Sequence, residues 1–297
     1  MTTADNAAQR QRAPRQSLLA RYPVTFYFLI AYGFSWLVWV PVALSKDGAG
    51  VLSFHSPIGA SASVVVASFV GPFLSAFIMT GVTEGRAGMG RLLRRCVLWR
   101  VGLGWYLVAL IGIPLILLLG VTVLPGAMAS FKGLAFLVTP RPWLSQIVYV
   151  LLHGPLGEEP GWRGFALPRL QRLYGPLIAS LILGPLWALW HLPFFWIPAW
   201  NFPPTLFNIV MFVIAAIPLT IVMTWVFNNT KGSVLMAILG HWSFDMTFVV
   251  LNLLFTAHIV TDYGSTLPVL IGLGTLALLA IAVTRGRLGY QHYREEQ

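Results

Sequence analysis

Apolar stretches of about twenty residues recur along the chain, each closed by a short polar or basic segment. A bilayer core takes about 20 apolar residues per helix, and eight stretches approach that length, at about 24–44, 60–82, 102–124, 143–158, 176–198, 207–227, 233–255 and 267–284. The pattern predicts an all-α polytopic membrane protein of about eight transmembrane helices enclosing a polar intramembrane cavity. The fourth stretch is short, and its passage through the membrane is expected to continue beyond the glutamates at its end. Pro114, Pro185, Pro193 and Pro218 fall inside expected spans, where neighbouring helices re-satisfy the backbone groups a kink sets free.

Charge orders these spans. With the N-terminus inside, sixteen of the nineteen Lys and Arg residues fall in inner segments (four before the first span, five between Arg86 and Arg100, then Arg163, Arg169, Arg172, Lys231, Arg285, Arg287 and Arg294). Only Lys46, Lys132 and Arg141 fall outside. Positive charge accumulates on cytoplasmic loops, so both termini are expected in the cytoplasm of a protein spanning the plasma (inner) membrane. Residues 1–22 then form a basic tail, 23–285 the transmembrane domain and 286–297 a second tail. Arg86 to Arg100 interleaves its charges with Leu92, Leu93, Val97, Leu98 and Trp99, a pattern for an amphipathic helix on the inner surface. Trp162 to Tyr174 reads the same way, and the two are expected to frame a cytoplasmic entrance.

Composition agrees. The residues are 57% hydrophobic and 9% charged, with mean hydropathy +0.77, whereas a soluble domain carries about 25% charged residues. The net charge of +10 does not point to nucleic acid, because the cations sit in short segments between apolar runs and suit anionic headgroups. A single cysteine, Cys96, excludes an intramolecular disulfide and a thiolate metal cluster.

With nine acidic residues in the whole chain, those inside spans carry weight. Glu158 and Glu159 close the fourth apolar run. A carboxylate at mid-bilayer depth costs roughly 2.5–3.5 kcal/mol on insertion scales, so it faces a protein interior and serves a function. Arg163 follows Glu159 at the i,i+4 spacing where opposite charges meet. His191 lies in the fifth stretch, sharing a face with Trp187. His241 and Asp245 lie in the seventh, also four apart. At 1.5 Å per residue, His241 is about 15 Å from the cytoplasmic edge and His191 about 13 Å from the outer edge, nearly one level, with Glu158 about 22 Å from the outer face. His153, five residues before Glu158, is expected to pack, and His55, His258 and His292 fall outside the spans.

Two chemistries fit a set of one glutamate and two histidines. A carboxylate beside an imidazole can deprotonate water for attack on an amide carbonyl while a second imidazole stabilises the oxyanion. Alternatively, Glu158, His191 and His241 can form a three-ligand zinc site with an open position for water. A buried acid set also serves proton coupling in transporters, but no pair of broken helices in matching halves is evident.

The same residues carry a resemblance. Glu158, Glu159 and Arg163 match the Glu-Glu-x-x-x-Arg motif of the CAAX-protease and bacteriocin-processing family of intramembrane endopeptidases, also called type II CAAX prenyl endopeptidase-like. His191 matches its Phe-x-x-x-His motif, with Trp187 in place of Phe, and His241 with Asp245 matches His-x-x-x-Asn/Asp. The chain resembles the family strongly over about 143–255, and earlier mainly around Arg91 to Trp105. The resemblance implies a roughly eight-helix fold with a conical cavity open to the cytoplasm, and a peptide or prenylated-protein substrate. It implies Glu158 as general base with His191 beside it, and His241 and Asp245 on the oxyanion side. Glu159 and Arg163 would hold the first motif in shape. An ionised Asp245 cannot donate a hydrogen bond, so it acts protonated, or orients His241 or a metal. The family includes members described as metalloproteases and as glutamate proteases. A non-catalytic immunity or scaffold protein of the same fold is the alternative.

Overall fold

The computed structural model describes residues 17–134, 141–200, 202–256 and 266–294. Most of the basic tail, with Arg10, Arg12 and Arg15, lies outside the described residues, as does His258. Those described are helical, apart from connections and one isolated bridge between Phe131 and Phe255. Seven helices are long and apolar enough to cross a membrane. They are α1 (Pro23–Leu44), α2 (Ala60–Cys96), α3 (Leu103–Thr122), α7 (Pro176–Trp190, extended by a 3₁₀ turn to Trp196), α8 (Leu206–Asn229), α9 (Val234–Leu254) and α10 (Thr266–Thr284). The protein is an all-α integral multi-pass membrane protein.

The expected crossing at 143–158 departs from a single helix. It is a string of short ones: α4 (Arg141–His153), α5 (Pro155–Gly161), a π turn at Trp162–Ala166, and α6 (Leu167–Tyr174). The breaks have local causes, since Pro155 and Pro168 lack the N–H that would continue the preceding turn and Gly175, at φ 76°, ends α6. The string runs antiparallel to α9. Gly154 lies by Asp245, Glu159 bonds His241, and Gly164 faces Val234. Trp242 Nε1 donates to Ile147 O (3.0 Å), so α4 lies beside the same stretch of α9 that α5 and the π turn follow.

Among the described residues three π turns interrupt the helices, at Phe69–Phe73 in α2, Val108–Gly112 in α3 and Trp162–Ala166. The first encloses Pro72 and the second precedes Pro114, so each lets the helix run past a residue that cannot donate. α5 packs onto the first of them through its glycine face. A Cβ on Gly157 would lie 2.7 Å from Ser68 Oγ, and one on Gly161 would lie 2.6 Å from the Pro72 carbonyl oxygen. Small residues four apart allow this approach.

The bundle has two distinct ends. At one, Arg95 Nε donates to Gly232 O (2.9 Å), Arg169 Nη2 to Thr83 Oγ1 (3.2 Å) and Asn228 Nδ2 to Leu288 O (3.1 Å). These bonds gather the basic segments at the end of α2, through α6, between α8 and α9, and around α11 (Tyr290–Arg294). Gly85, at φ 66°, breaks α2 there, so the amphipathic Arg86–Cys96 piece follows a turn rather than continuing the span. At the other end, the amide of Lys132 donates to Leu254 O (2.7 Å) and that of Thr256 to Ser130 O (2.9 Å).

Candidate active site

Each glutamate of the motif is satisfied in part by the residue four positions on, the next turn of the same helical string. Trp162 Nε1 donates to Glu158 Oε2 at 3.3 Å, and Arg163 Nη1 to Glu159 Oε1 at 2.6 Å. Both carboxylates and Arg163 are buried, at 3%, 0% and 1% exposure. Beyond those local bonds the pair diverges. Glu159 Oε1 also lies 2.8 Å from His241 Nδ1. A carboxylate only accepts, so Nδ1 carries the proton, and Glu159 is the joint between Arg163 and α9. Among the described residues, no arginine or lysine bonds Glu158. Its stronger donor is the indole of Trp187, 2.6 Å from Oε2, and its Oε1 points toward Gly154 and Asp245.

Trp187 stands at the centre of the cluster. Its ring meets His241 edge-on with centroids 5.3 Å apart and His191 at 5.7 Å, and the Arg163 guanidinium lies over it at 5.2 Å. Its carbonyl lies 3.0 Å from His191 Nδ1. A carbonyl only accepts, so Nδ1 of His191 is protonated and Nε2 is the acceptor of the neutral ring. Pro193 stops the α-helical part of α7 at Trp190, which places His191 on its C-cap, at the start of the 3₁₀ extension and still within the span. There it stacks on Trp200 (5.6 Å, 10°) and Trp39 (6.2 Å, 23°).

On α9, His241 Nε2 lies 3.5 Å from Asp245 Oδ2. This is too long for a strong hydrogen bond, and the Asp245 side chain is 33% exposed. Gly154 accounts for the gap between Asp245 and Glu158. A Cβ there would sit 2.9 Å from Glu158 Oε1 and 3.9 Å from Asp245 Oδ2, so its bare Cα lets the two carboxyls face one spot. Ser243, on the same helix, donates to the carbonyl of Ala109 in the second π turn and anchors α9 against α3.

Glu158, Glu159, Arg163, His241 and Asp245 are thus brought into one cluster, with His191 joined to it through Trp187. The zinc set is not assembled. Among the described residues no three His, Cys, Asp or Glu side chains are grouped to hold an ion. Glu158 Oε1 and the two histidine Nε2 atoms keep lone pairs, and the Nδ1 bonds are of the kind that orient metal-bound imidazoles, but the three side chains are not grouped closely enough to share an ion. Sequence reasoning missed Trp162, Trp187 and Gly154 as site residues. For Trp162 the signal was available, since it follows Glu158 at i+4 and carries a donor needing a partner. Trp187 was legible only as a neighbour of His191, because its bond to Glu158 crosses 29 positions.

Comparison with known proteins returns a family model over residues 140–247, described as type II CAAX prenyl endopeptidase Rce1-like. That range contains every motif residue from Glu158 to Asp245. The family resemblance is to the Rce1-like CAAX prenyl endopeptidases. A curated relative, CAAX prenyl protease 2 of Methanococcus maripaludis, is 24% identical over 239 residues, covering 76% of this chain and 84% of the relative. Similarity to this relative therefore extends well beyond the motifs into the surrounding helices.

Proposed function

We propose that the protein is a CAAX-type intramembrane endopeptidase that hydrolyses a peptide bond with water activated by Glu158. The observation that carries this reading is the contrast within the glutamate pair. Glu159 is tied through Oε1 to Arg163 and His241, groups that carry or can carry positive charge, and its Oε2 is buried without a hydrogen bond, whereas Glu158 is held by neutral indoles on Oε2 and keeps Oε1 turned toward the gap at Gly154. A general base needs a carboxylate oxygen held in place yet free to take a proton, and the two indole donors on Oε2 supply the holding. Glu158 takes a proton from water, and the water oxygen adds to the carbonyl carbon. The oxyanion forms beside His241, whose Nδ1–H is committed to Glu159; with the ring as the imidazolium that this carboxylate supports, Nε2–H donates to the oxyanion. The proton on Glu158 then passes to the leaving nitrogen as the C–N bond breaks. His191, with its tautomer set by the Trp187 carbonyl, offers Nε2 as an acceptor beside the base. Asp245 orients His241. The substrate is a peptide or prenylated protein entering from the basic end, which faces the cytoplasm.

The test is cleavage of a quenched prenyl-peptide panel by the detergent-solubilised protein, comparing wild type with Glu158→Gln, each with and without chelator. Cleavage that Glu158→Gln abolishes and chelation spares is the expected result. Equal cleavage by the variant overturns the assignment of the base. Loss under chelation with recovery on added zinc overturns a metal-independent step. Uptake of a solute without hydrolysis would mark a transporter, and neither activity would mark the non-catalytic scaffold.

A further inference from the structure

The carbonyl of Gly164 sits one residue beyond Arg163, inside the π turn Trp162–Ala166. In an α-helix it would accept from the amide four positions on, but that residue is Pro168, which has no N–H. An unpartnered buried carbonyl carries a penalty comparable to a lost hydrogen bond. Arg95, 69 residues away on α2, supplies the donor, with Nη1 3.3 Å from Gly164 O. The same guanidinium donates through Nε to Gly232 O at 2.9 Å. It lies between the rings of Phe227 (5.0 Å) and Tyr293 (5.6 Å). Tyr293 is 2% exposed, and a Cβ on Gly232 would come within 2.6 Å of its ring, so the clamp is closely packed. Four segments distant in sequence meet at this one side chain: the end of α2, the motif turn, the α8–α9 connection and α11.

We propose that Arg95 is a positioning residue of the active site. By holding Gly164 it sets the register of the π turn, hence of Arg163, and through Glu159 that of His241 and Glu158. A lysine would not replace it, because one ammonium lacks the planar fork that serves two carbonyls while lying flat between two rings. The proposal rests on the active-site reading above.

Pro168 provides the discriminating experiment. Pro168→Ala restores an amide that can donate to Gly164 O from within the helix and makes the Arg95 bond redundant. Wild type, Arg95→Gln, Arg95→Lys, Pro168→Ala and Arg95→Gln/Pro168→Ala would be purified. Each would be measured for peptide cleavage, for thermal midpoint, and for amide hydrogen exchange of the Trp162–Leu170 segment. Arg95→Gln is expected to lower kcat about ten- to a hundredfold, the scale on which small misplacements act, with KM within about twofold. Exchange in Trp162–Leu170 rises while that of α7 does not. Arg95→Lys behaves like Arg95→Gln, and the double variant recovers most of kcat and of the exchange protection. Unchanged kcat and exchange in Arg95→Gln overturn the proposal. So does a parallel fall in thermal midpoint and kcat that Pro168→Ala leaves uncorrected, which would mark a purely structural arginine. Glu158→Gln in the same series separates the two readings. If that variant cleaves normally the active-site reading fails, and exchange alone then decides whether Arg95 holds the turn.

Discussion

Glu158 and Glu159 are adjacent, equally buried and chemically identical, yet their surroundings divide the labour between them. Glu159 touches two groups that carry or can carry positive charge, so its replacement leaves Arg163 buried without its counter-ion. Breaking a buried pair from one side costs about 3–5 kcal/mol, and Glu159→Gln is expected to lower the thermal midpoint sharply and with it all activity. Glu158 accepts from neutral indoles, which a glutamine oxygen also accepts. Glu158→Gln is therefore expected to keep a near wild-type midpoint while losing cleavage. Thermal unfolding of both variants in detergent checks the contrast, and similar midpoints would remove the distinction. Gly154 permits a second test. It has φ of −147°, outside the left-handed region, so the effect of Gly154→Ala is steric. Its new Cβ would press on Glu158 Oε1, and kcat is expected to fall about ten- to a hundredfold with little change in KM for the same peptide. An undiminished kcat would show that this oxygen is not the one that takes the proton.

At the scale of helices, the site depends on how closely α5 approaches α1 and the π turn of α2. A Cβ on Gly157 or Gly161 has no room, whereas one on Gly33 in α1 meets nothing within 4 Å. Gly157→Ala and Gly161→Ala are each expected to destabilise by about 1–3 kcal/mol, the usual cost of overpacking, and Gly33→Ala to be neutral. Denaturation of the three variants in one detergent would test this, and equal stabilities would contradict the packing. The apolar runs identified seven helices because bilayer-length hydrophobicity is a local property. The Glu159–Arg163 bond and the His241–Asp245 face were equally legible, since both follow from the helical period. The broken passage through Gly154 and the three π turns were not. Proline marks where a helix is perturbed, but whether it ends, kinks or takes a π turn depends on the helix packed against it. His191 illustrates the same limit. Its type and depth were readable, but its place on a cap depended on how the chain after Pro193 folds back, and the indole joining it to Glu158 is a tertiary contact.

The whole molecule is electrically lopsided. The described arginines at the end of α2, through α6 and around α11 gather at one end, where Arg95 and the C-terminal helix tie them together, while Lys46 and Lys132 stand at the other. Anionic headgroups attract such clusters on the cytoplasmic leaflet, and positive segments resist translocation, so the basic end is expected to face the cytoplasm. The chain's single cysteine makes the orientation measurable. In a Cys96→Ser background, Lys46→Cys and Arg287→Cys each place a thiol at an exposed position, one at each end. A membrane-impermeant maleimide added to intact cells is expected to label Lys46→Cys at once and Arg287→Cys only after permeabilisation. The reverse pattern would put the basic end outside and close the proposed cytoplasmic entrance. Labelling of both from outside would imply an odd number of crossings and show that the α4–α6 string does not carry the chain across.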